Sequence, residues 1–328
     1  MHTDSFTFGI YPGSQLGTTQ GMASGAPDQP VRISTALDEL QGEHAFLLVR
    51  CYLVYKGKLE LPVFSVDQPH QYAINGRQLD LVLCFQSLEV GLEGWLAFIT
   101  QTLEEYHPYL GKIQITEEAN VDLPVLDGHY PLSRKALVEG IILAHRIIQQ
   151  LGLNIPVGFN ATPDFNPNKK FWKEIGSLAN PSFYHALGYV GLDFFPDVFR
   201  PIPNAEQEGV LEQAIRHILT FYRNSDMVDA GISEKIPLHI TENGWPTPEG
   251  RPEATQADRI EKIVRILYKH RKEFNITHYE LFGLRDADSK QADIFYHFGL
   301  LKDDYKPKPA FLIFKKLIAE LGFRTEIG

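Results

Sequence analysis

The sequence is poor in cysteine and has no long apolar segment. Its 328 residues include two cysteines, Cys51 and Cys84, too few for the disulfide framework of a small secreted domain. Both lie in apolar segments, so we expect buried free thiols and no metal site. No apolar run approaches the ~20 residues that span a bilayer. The polar start predicts no signal peptide, and hence a cytoplasmic protein or a secreted domain whose leader was trimmed.

Positive charge is also scarce. Lysine and arginine number 31 against 41 aspartate and glutamate residues, which gives a formal net charge of -10. Binding to a nucleic-acid backbone needs a concentrated basic surface, and the sequence shows no cluster of basic residues. We therefore expect neither nucleic acid nor a membrane as a partner, and the oligomeric state stays open.

Eight short apolar segments alternate with helical patterns, which is typical of a parallel sheet. The predicted strands are Phe6–Ile10, Phe46–Tyr52, Leu81–Phe85, Ile113–Thr116, Val157–Phe159, Tyr189–Phe194, Leu238–Thr241 and Thr277–Leu284. Most gaps between them, and the segment from about Pro309, carry apolar residues at three- and four-residue spacing. Residues 53–80 lack that spacing, so the second helix is expected to be short, irregular or replaced by a loop. The sequence predicts an α/β fold, a (β/α)8 TIM barrel, as a single domain over residues 1–328.

Acidic residues follow two of the predicted strands. Glu117 and Glu118 come after the fourth strand, and Glu242 comes after the seventh. Catalytic groups of such barrels project from the C-terminal strand ends, so these side chains are expected to face each other across the mouth. Cleavage of a glycosidic bond needs an acid for the leaving oxygen and a carboxylate for the oxocarbenium ion, and a separation of about 5 Å retains the anomeric configuration. The alternative at each position is a helix cap or a salt bridge.

Three segments resemble one enzyme superfamily. HITENGWPT, around Glu242, is similar to the nucleophile motif of retaining β-glycosidases of glycoside hydrolase clan A, in which family 1 carries a similar Thr-Glu-Asn-Gly and the β-1,3-glucanases a similar Glu-x-Gly-Trp-Pro. QITEEAN looks like the clan's acid/base motif, and RDAD with FGLLKDDYKPKPAF is similar to its closing strand and helix. The resemblance implies a hydrolase of a β-linked oligo- or polysaccharide, with Glu242 as nucleophile and Glu118 as acid/base. It implies no cofactor and does not fix the family.

The same resemblance and the strand ends supply further candidates. Arg50 matches the clan's arginine that orders the nucleophile, or else forms a structural ion pair. Trp245 is expected to stack on a sugar, or else to pack beneath the mouth. The other residues predicted to line the site are Glu117, Asn160, Asp193, Tyr11 and Gln86. The first strand lacks the His-x-His of metal-dependent barrels, so no metal ion is expected.

The sequence departs from the clan's pattern at three places. Glu117 stands where the clan has an asparagine that contacts the sugar 2-hydroxyl. Phe194 and Phe195 stand where a tyrosine often approaches the nucleophile, and the eighth strand offers Phe282 where a tryptophan floor is common. Two adjacent carboxylates raise each other's pKa, which would help to keep Glu118 protonated. Three alternatives stay open: Glu117 as the working acid, a glycan-binding barrel without activity, and a transglycosylase.

Overall fold

A computed structural model describes residues 6–42, 46–166, 168 and 170–323 of the chain. The first five residues, on which the prediction about a signal peptide rests, lie outside this part. Eight parallel strands form a closed barrel: β1 (Thr7–Tyr11), β2 (Leu47–Tyr55), β3 (Gln78–Phe85), β4 (Leu110–Ile115), β5 (Val157–Ala161), β6 (Tyr189–Asp193), β7 (Leu238–Asn243) and β8 (Ile276–Phe282). Neighbours in the chain are neighbours in the sheet, and β1 closes the barrel by pairing with both β2 and β8. The predicted TIM barrel is confirmed.

Helices cover the outside of the barrel. They are α1 (Pro30–Gln41), α2 (Glu93–Tyr106), α3 (Ser133–Gln150), α4 (Phe171–Leu178), α5 (Pro181–Ala186), α6 (Val210–Phe221), α7 (Met227–Asp229), α8 (Glu253–Lys269), α9 (Arg271–Phe274) and α10 (Pro309–Leu321). In α8, Ile260, Ile263, Val264 and Leu267 are buried, so the spacing seen in the sequence is the stripe that packs inward. Within the described residues, no helix is both long and apolar enough to cross a membrane.

The connection from β2 to β3 contains no α-helix, in agreement with its missing periodicity. A two-residue strand, Val63–Phe64, pairs antiparallel with the end of β2, and a 3-10 turn follows at Pro69–Tyr72. The two strands that flank this connection carry Cys51 and Cys84. Both thiols are buried and free, as expected from the sequence.

The barrel interior holds charged side chains as well as apolar ones. Arg50 on β2, Asp80 on β3, Lys112 on β4 and Glu280 on β8 are each fully buried. The neighbouring strand makes room for them, because a Cβ on Gly9 of β1 would lie only 2.6 Å from Cγ of Glu280. Glycine is therefore required there for steric reasons. These charged residues form a polar layer directly beneath the mouth.

Candidate active site

Glu242 lies near the C-terminal end of β7 and is 8% exposed. The hydroxyl of Tyr52 donates a hydrogen bond to Oε1 of Glu242, and Nε of Arg50 lies 3.8 Å from the same oxygen. Nε of Arg50 also donates to the Tyr52 hydroxyl over 2.8 Å. Burial raises the pKa of Glu242, the carboxyls of Asp193 and Glu117 raise it further, and Arg50 and Tyr52 oppose the rise. These contacts fix one carboxylate oxygen and favour its ionised form.

Arg50 is the cation that several of these carboxyls share. Its Nη1 lies 2.5 Å from Oδ2 of Asp80, and its Nη2 lies 3.0 Å from Oε1 of Gln114 and 3.2 Å from Oε2 of Glu117. The structure thus places Arg50 beside Glu242, where the resemblance to clan A would have it. It also shows the structural ion pair, with Asp80, that the sequence left as the alternative. Both descriptions apply to the same guanidinium.

Hydrogen bonds to its side chain and from its backbone hold Glu117 in place. Its Oε2 accepts hydrogen bonds from Nε2 of Gln114 at 2.7 Å and from Arg50, and its backbone N–H donates to Oδ2 of Asp127 over 2.8 Å. Asp127 also accepts from the backbone N–H of Phe85, at the end of β3. Burial raises the pKa of Glu117, while Arg50 lowers it. The side chain therefore has a fixed orientation, set by charge-assisted contacts.

Glu118 follows in a strained stretch of backbone. It is partly exposed, its φ angle is 43°, and the φ angle of Thr116 is 68°. Two non-glycine residues in the left-handed region within three positions is uncommon, and such strain concentrates at functional sites. The backbone N–H of Glu118 donates to Oδ1 of Asn160 over 2.8 Å. Burial raises the pKa of Glu118 well above its ordinary value, and the carboxyls of Glu242 and Glu117 raise it further.

Asp193, at the end of β6, completes the group of carboxyls. The side-chain amide of Asn160 donates to its Oδ2, and the hydroxyl of Thr241 donates to its Oδ1 over 2.7 Å. Asp193 is 1% exposed, and burial together with Glu117 and Glu118 raises its pKa well above the ordinary value. The two residues predicted at the ends of the fifth and sixth strands therefore lie at the site and bind each other. Asn160 links Asp193 to the backbone of Glu118.

Three carboxylates converge on one point. One oxygen each from Glu117, Asp193 and Glu242 lies within 4.8 Å of the other two, which is a spacing that a divalent cation could bridge. The guanidinium of Arg50, at 3.2 Å from Glu117 and 3.8 Å from Glu242, already supplies positive charge to two of the three. Glu117, Asp193 and Glu242 therefore form one compact acidic group, and Arg50 contacts two of its three members.

Aromatic rings form one side of this group. The ring of Tyr11 on β1 stacks on Phe282 of β8 with centroids 4.9 Å apart, and both rings meet Tyr52 edge to face. Phe282 is 8% exposed and Tyr11 is fully buried. Tyr11 thus lies behind Phe282, and Phe282 occupies the place where the resemblance would have a tryptophan.

Two further predicted residues, Trp245 and Gln86, contact other groups. Trp245 is 5% exposed, with the guanidinium carbon of Arg251 5.0 Å from its ring centroid. Gln86 donates from its side chain to the carbonyl of Val125 over 2.8 Å. The packing of Trp245 agrees with the alternative of a ring beneath the mouth, and its stacking on a sugar stays a prediction.

Sequence reasoning missed Tyr52, although a signal for it exists. Side chains two positions apart on a strand point to the same side, so an inward Arg50 implies an inward Tyr52. In this structure the tyrosine that contacts Glu242 comes from β2. Gln114 and Asp80 were missed as well, because their shared partner Arg50 lies 64 and 30 residues away in sequence, and Asp127 was also missed.

Solved glycosidase structures share this fold. The chain is similar to a GH2 β-galacturonidase from Eisenbergiella tayi bound to galacturonate, with a TM-score of 0.60, 11% identity, and coverage of 98% of this chain and 52% of that chain. It is similar to a β-glucuronidase from Ruminococcus gnavus in complex with uronic deoxynojirimycin (TM-score 0.60, 14% identity, 96% and 49% covered). A β-D-glucuronidase from Dictyoglomus thermophilum is also similar (TM-score 0.60, 13% identity, 98% and 52% covered).

The likeness to these enzymes shows a shared barrel fold. The chain spans about half the length of each of them. No protein-family model matches the chain, and no curated protein matches it. The function therefore has to be argued from the side chains at the mouth.

Proposed function

We propose that this protein is a retaining glycoside hydrolase that cleaves β-glycosidic bonds by double displacement. One observation carries the proposal: carboxyls from the ends of β4 and β7 meet at the barrel mouth, and one of them, Glu242, is held by Tyr52 and Arg50. Glycoside hydrolysis requires one carboxyl that attacks as a carboxylate and one that donates a proton, and the contacts of Glu242 with Arg50 and Tyr52 favour its ionised form. The shared fold with known β-glycosidases supports the same reading.

In the first step Glu242 attacks the anomeric carbon, and the bond to the leaving oxygen breaks as Glu118 transfers its proton to that oxygen. This gives a glycosyl ester on Glu242 and an ionised Glu118. In the second step Glu118 removes a proton from water, whose oxygen attacks the same carbon and releases Glu242. Both carboxyls return to their starting protonation states, and the anomeric configuration is retained.

Glu118 suits the acid/base role better than Glu117 does. Glu117 accepts hydrogen bonds from Arg50 and Gln114, which stabilise its ionised form. Glu118 is the more exposed of the two, and the carboxyls of Glu242 and Glu117 raise its pKa. A group that starts protonated and ionises when Glu242 becomes an ester is what the two steps demand.

The charge at the mouth also favours a neutral sugar over a uronic acid. Glu117, Glu118, Asp193 and Glu242 surround the position where the sugar would bind, and Arg50 already contacts Asp80 at 2.5 Å. A uronate would add a further negative charge to this group, which costs free energy in a buried site. A neutral sugar is therefore the expected substrate, although the similar solved enzymes are named for uronic-acid sugars.

The test compares wild-type protein with Glu242→Gln and Glu118→Gln on a panel of β-linked oligosaccharides and aryl β-glycosides, with products identified by mass spectrometry. Glu242→Gln should lose at least ~10³-fold in rate, about 4 kcal/mol of transition-state stabilisation. Glu118→Gln should lose a similar factor on oligosaccharides but keep most of its first-step rate on dinitrophenyl glycosides, whose leaving group needs no proton. Glu89→Gln, a carboxylate bound by Tyr55, is the control and should leave all rates unchanged.

Two results would replace the proposal. Absence of cleavage, together with equal sugar binding by wild-type protein and Glu242→Gln, would point to a glycan-binding barrel. Products longer than the starting oligosaccharide would point to a transglycosylase that uses the same two glutamates.

A further inference from the structure

Five phenylalanines form a continuous wall that begins beside Tyr52, the hydrogen-bond partner of Glu242, and ends in solvent. We call Phe282, Phe195, Phe298, Phe199 and Phe295 the Phe wall. Two of them follow β6 and two follow β8, so the loops that carry them flank β7, the strand of the nucleophile. Phe282, at the end of β8, joins them to Tyr52, with 6.3 Å between ring centroids.

The rings of the wall contact each other in sequence. Phe282 meets Phe195 edge to face at 6.5 Å between centroids, and Phe195 meets Phe298 at 5.7 Å. Phe195 also meets Phe199 at 5.6 Å, and Phe199 stacks on Phe295 at 5.7 Å with an interplanar angle of 28°. These are the distances of favourable aromatic pairs, so the wall is a packed unit.

The wall has a buried part and an exposed part. Phe282 and Phe298 are 8% and 2% exposed, Phe195 and Phe295 are partly exposed, and Phe199 is 51% exposed. An apolar patch that starts inside a site and continues to the surface is a usual place for a ligand.

We propose that the Phe wall binds an apolar aglycone, so that the substrate is an alkyl or aryl β-glycoside. The inference rests on the proposed hydrolase function and names the class of its substrate. Continuity with the carboxyl site identifies the occupant, because a group on this wall would be attached to the sugar that Glu242 attacks. The wall thus acts as a specificity-determining surface.

The chemistry of the rings selects an aglycone over a second sugar. Phenylalanine has no hydroxyl or N–H group, so five such rings offer no hydrogen-bond partner to sugar hydroxyls, whose desolvation would then be unfavourable. An alkyl chain or an aromatic ring buries apolar area against the wall at no such cost. Tyrosine and tryptophan, which offer both a flat face and a polar group, are not part of the wall.

The test measures binding without turnover. Octyl 1-thio-β-D-glucoside, used below its micelle concentration, and methyl 1-thio-β-D-glucoside carry the same sugar and resist hydrolysis. Calorimetry should show that wild-type protein binds the octyl compound at least ~10-fold tighter than the methyl compound. Phe199→Ala should lose most of that ratio and keep the affinity for the methyl compound. Phe199 is half exposed, so the variant should fold, which thermal unfolding checks.

Phe165→Ala is the matched control. Phe165 is 40% exposed and packs on Phe221, away from the wall, with ring centroids 4.6 Å apart. Its removal should leave the octyl-to-methyl ratio unchanged. Equal affinities of the two thioglucosides for wild-type protein, or equal losses in both variants, would overturn the proposal. Tighter binding of a thiocellobioside that depends on Phe199 would overturn it too, in favour of a sugar subsite.

Different results would contradict the hydrolase proposal and the aglycone proposal. If the panel shows no hydrolysis while octyl binding depends on Phe199, the apolar surface stands and the hydrolase proposal falls. If hydrolysis occurs while the octyl-to-methyl ratio is one, the hydrolase stands and the aglycone proposal falls.

Discussion

The barrel interior contains two polar layers that differ in how many cations contact their carboxyls. In the lower layer, Nζ of Lys112 forms an ion pair with Glu280 and lies 3.5 Å from Asp80, which also contacts Arg50. Each carboxylate of that layer thus has a cation in contact. In the upper layer, Glu117, Glu118, Asp193 and Glu242 depend mainly on the guanidinium of Arg50, which the lower layer already uses.

The pKa directions follow this difference. Asp80 in the lower layer has a lowered pKa, because Lys112 and Arg50 outweigh its burial. Every carboxyl of the upper layer has a raised pKa, because burial and mutual repulsion outweigh Arg50. Glu280 is intermediate, since burial and Asp80 raise its pKa to about 8 despite Lys112. The lower layer has a cation beside each carboxyl, whereas the upper layer has more carboxyls than cations, an arrangement that is common at functional sites.

Removing Lys112 from the lower layer should have the largest effect, a loss of folding stability. Lys112→Met leaves Glu280 and Asp80 buried without their shared partner, so the free energy of unfolding should fall by about 3–5 kcal/mol. Denaturant unfolding measures this. Lys262→Met removes one member of an exposed pair with Asp258, 2.8 Å apart, and should cost under ~1 kcal/mol. Similar losses in both variants would show that the lower layer has no special role.

Removing the hydroxyl of Tyr52 should reduce activity, with a smaller free-energy effect than the loss of Lys112. Tyr52→Phe takes one hydrogen bond from Glu242 and from Arg50, a loss of about 1.5–3 kcal/mol for a charged partner, or roughly 10- to 100-fold in kcat. Tyr55→Phe, on the same strand, removes only a 2.6 Å hydrogen bond to Glu89 and should keep full activity. If both variants behave alike, Tyr52 does not support the nucleophile.

Removing one carboxyl from the upper layer should have the smallest effect, a displacement of the pH profile. Glu117→Gln removes a carboxylate that raises the pKa of Glu242 and of Glu118. Both pKa values should therefore fall, and both limbs of the pH profile of kcat/KM should move to lower pH. Glu89→Gln serves as control. A profile that stays in place, or moves upward, would contradict the assignment of excess charge to this layer.

The strand ends were predictable because the barrel imposes a simple rule. Once eight apolar segments are recognised, the residue after each one must lie at the mouth. Glu242, Asn160 and Asp193 follow from that rule, and the structure brings them together. The missing helix between β2 and β3 was equally visible as missing periodicity.

The contacts between strands were not predictable in the same way. The partner of Tyr52 lies 190 residues away, and the pairing depends on barrel register and side-chain length, neither of which a strand pattern encodes. For Trp245 the sequence left two alternatives, a ring that stacks on a sugar and a ring beneath the mouth, and the contact with Arg251 could not be predicted from either. The Phe wall also joins two loops that no local pattern connects.

The most direct test of the account is to trap the glycosyl ester. A dinitrophenyl 2-deoxy-2-fluoro-β-glycoside should label the protein once, because its fluorine slows both steps while its good leaving group keeps the first step fast. Peptide mass spectrometry should place the sugar on Glu242, and Glu242→Gln should stay unlabelled. A label on Glu117 or Glu118, or hydrolysis with inverted configuration and no label, would contradict the account.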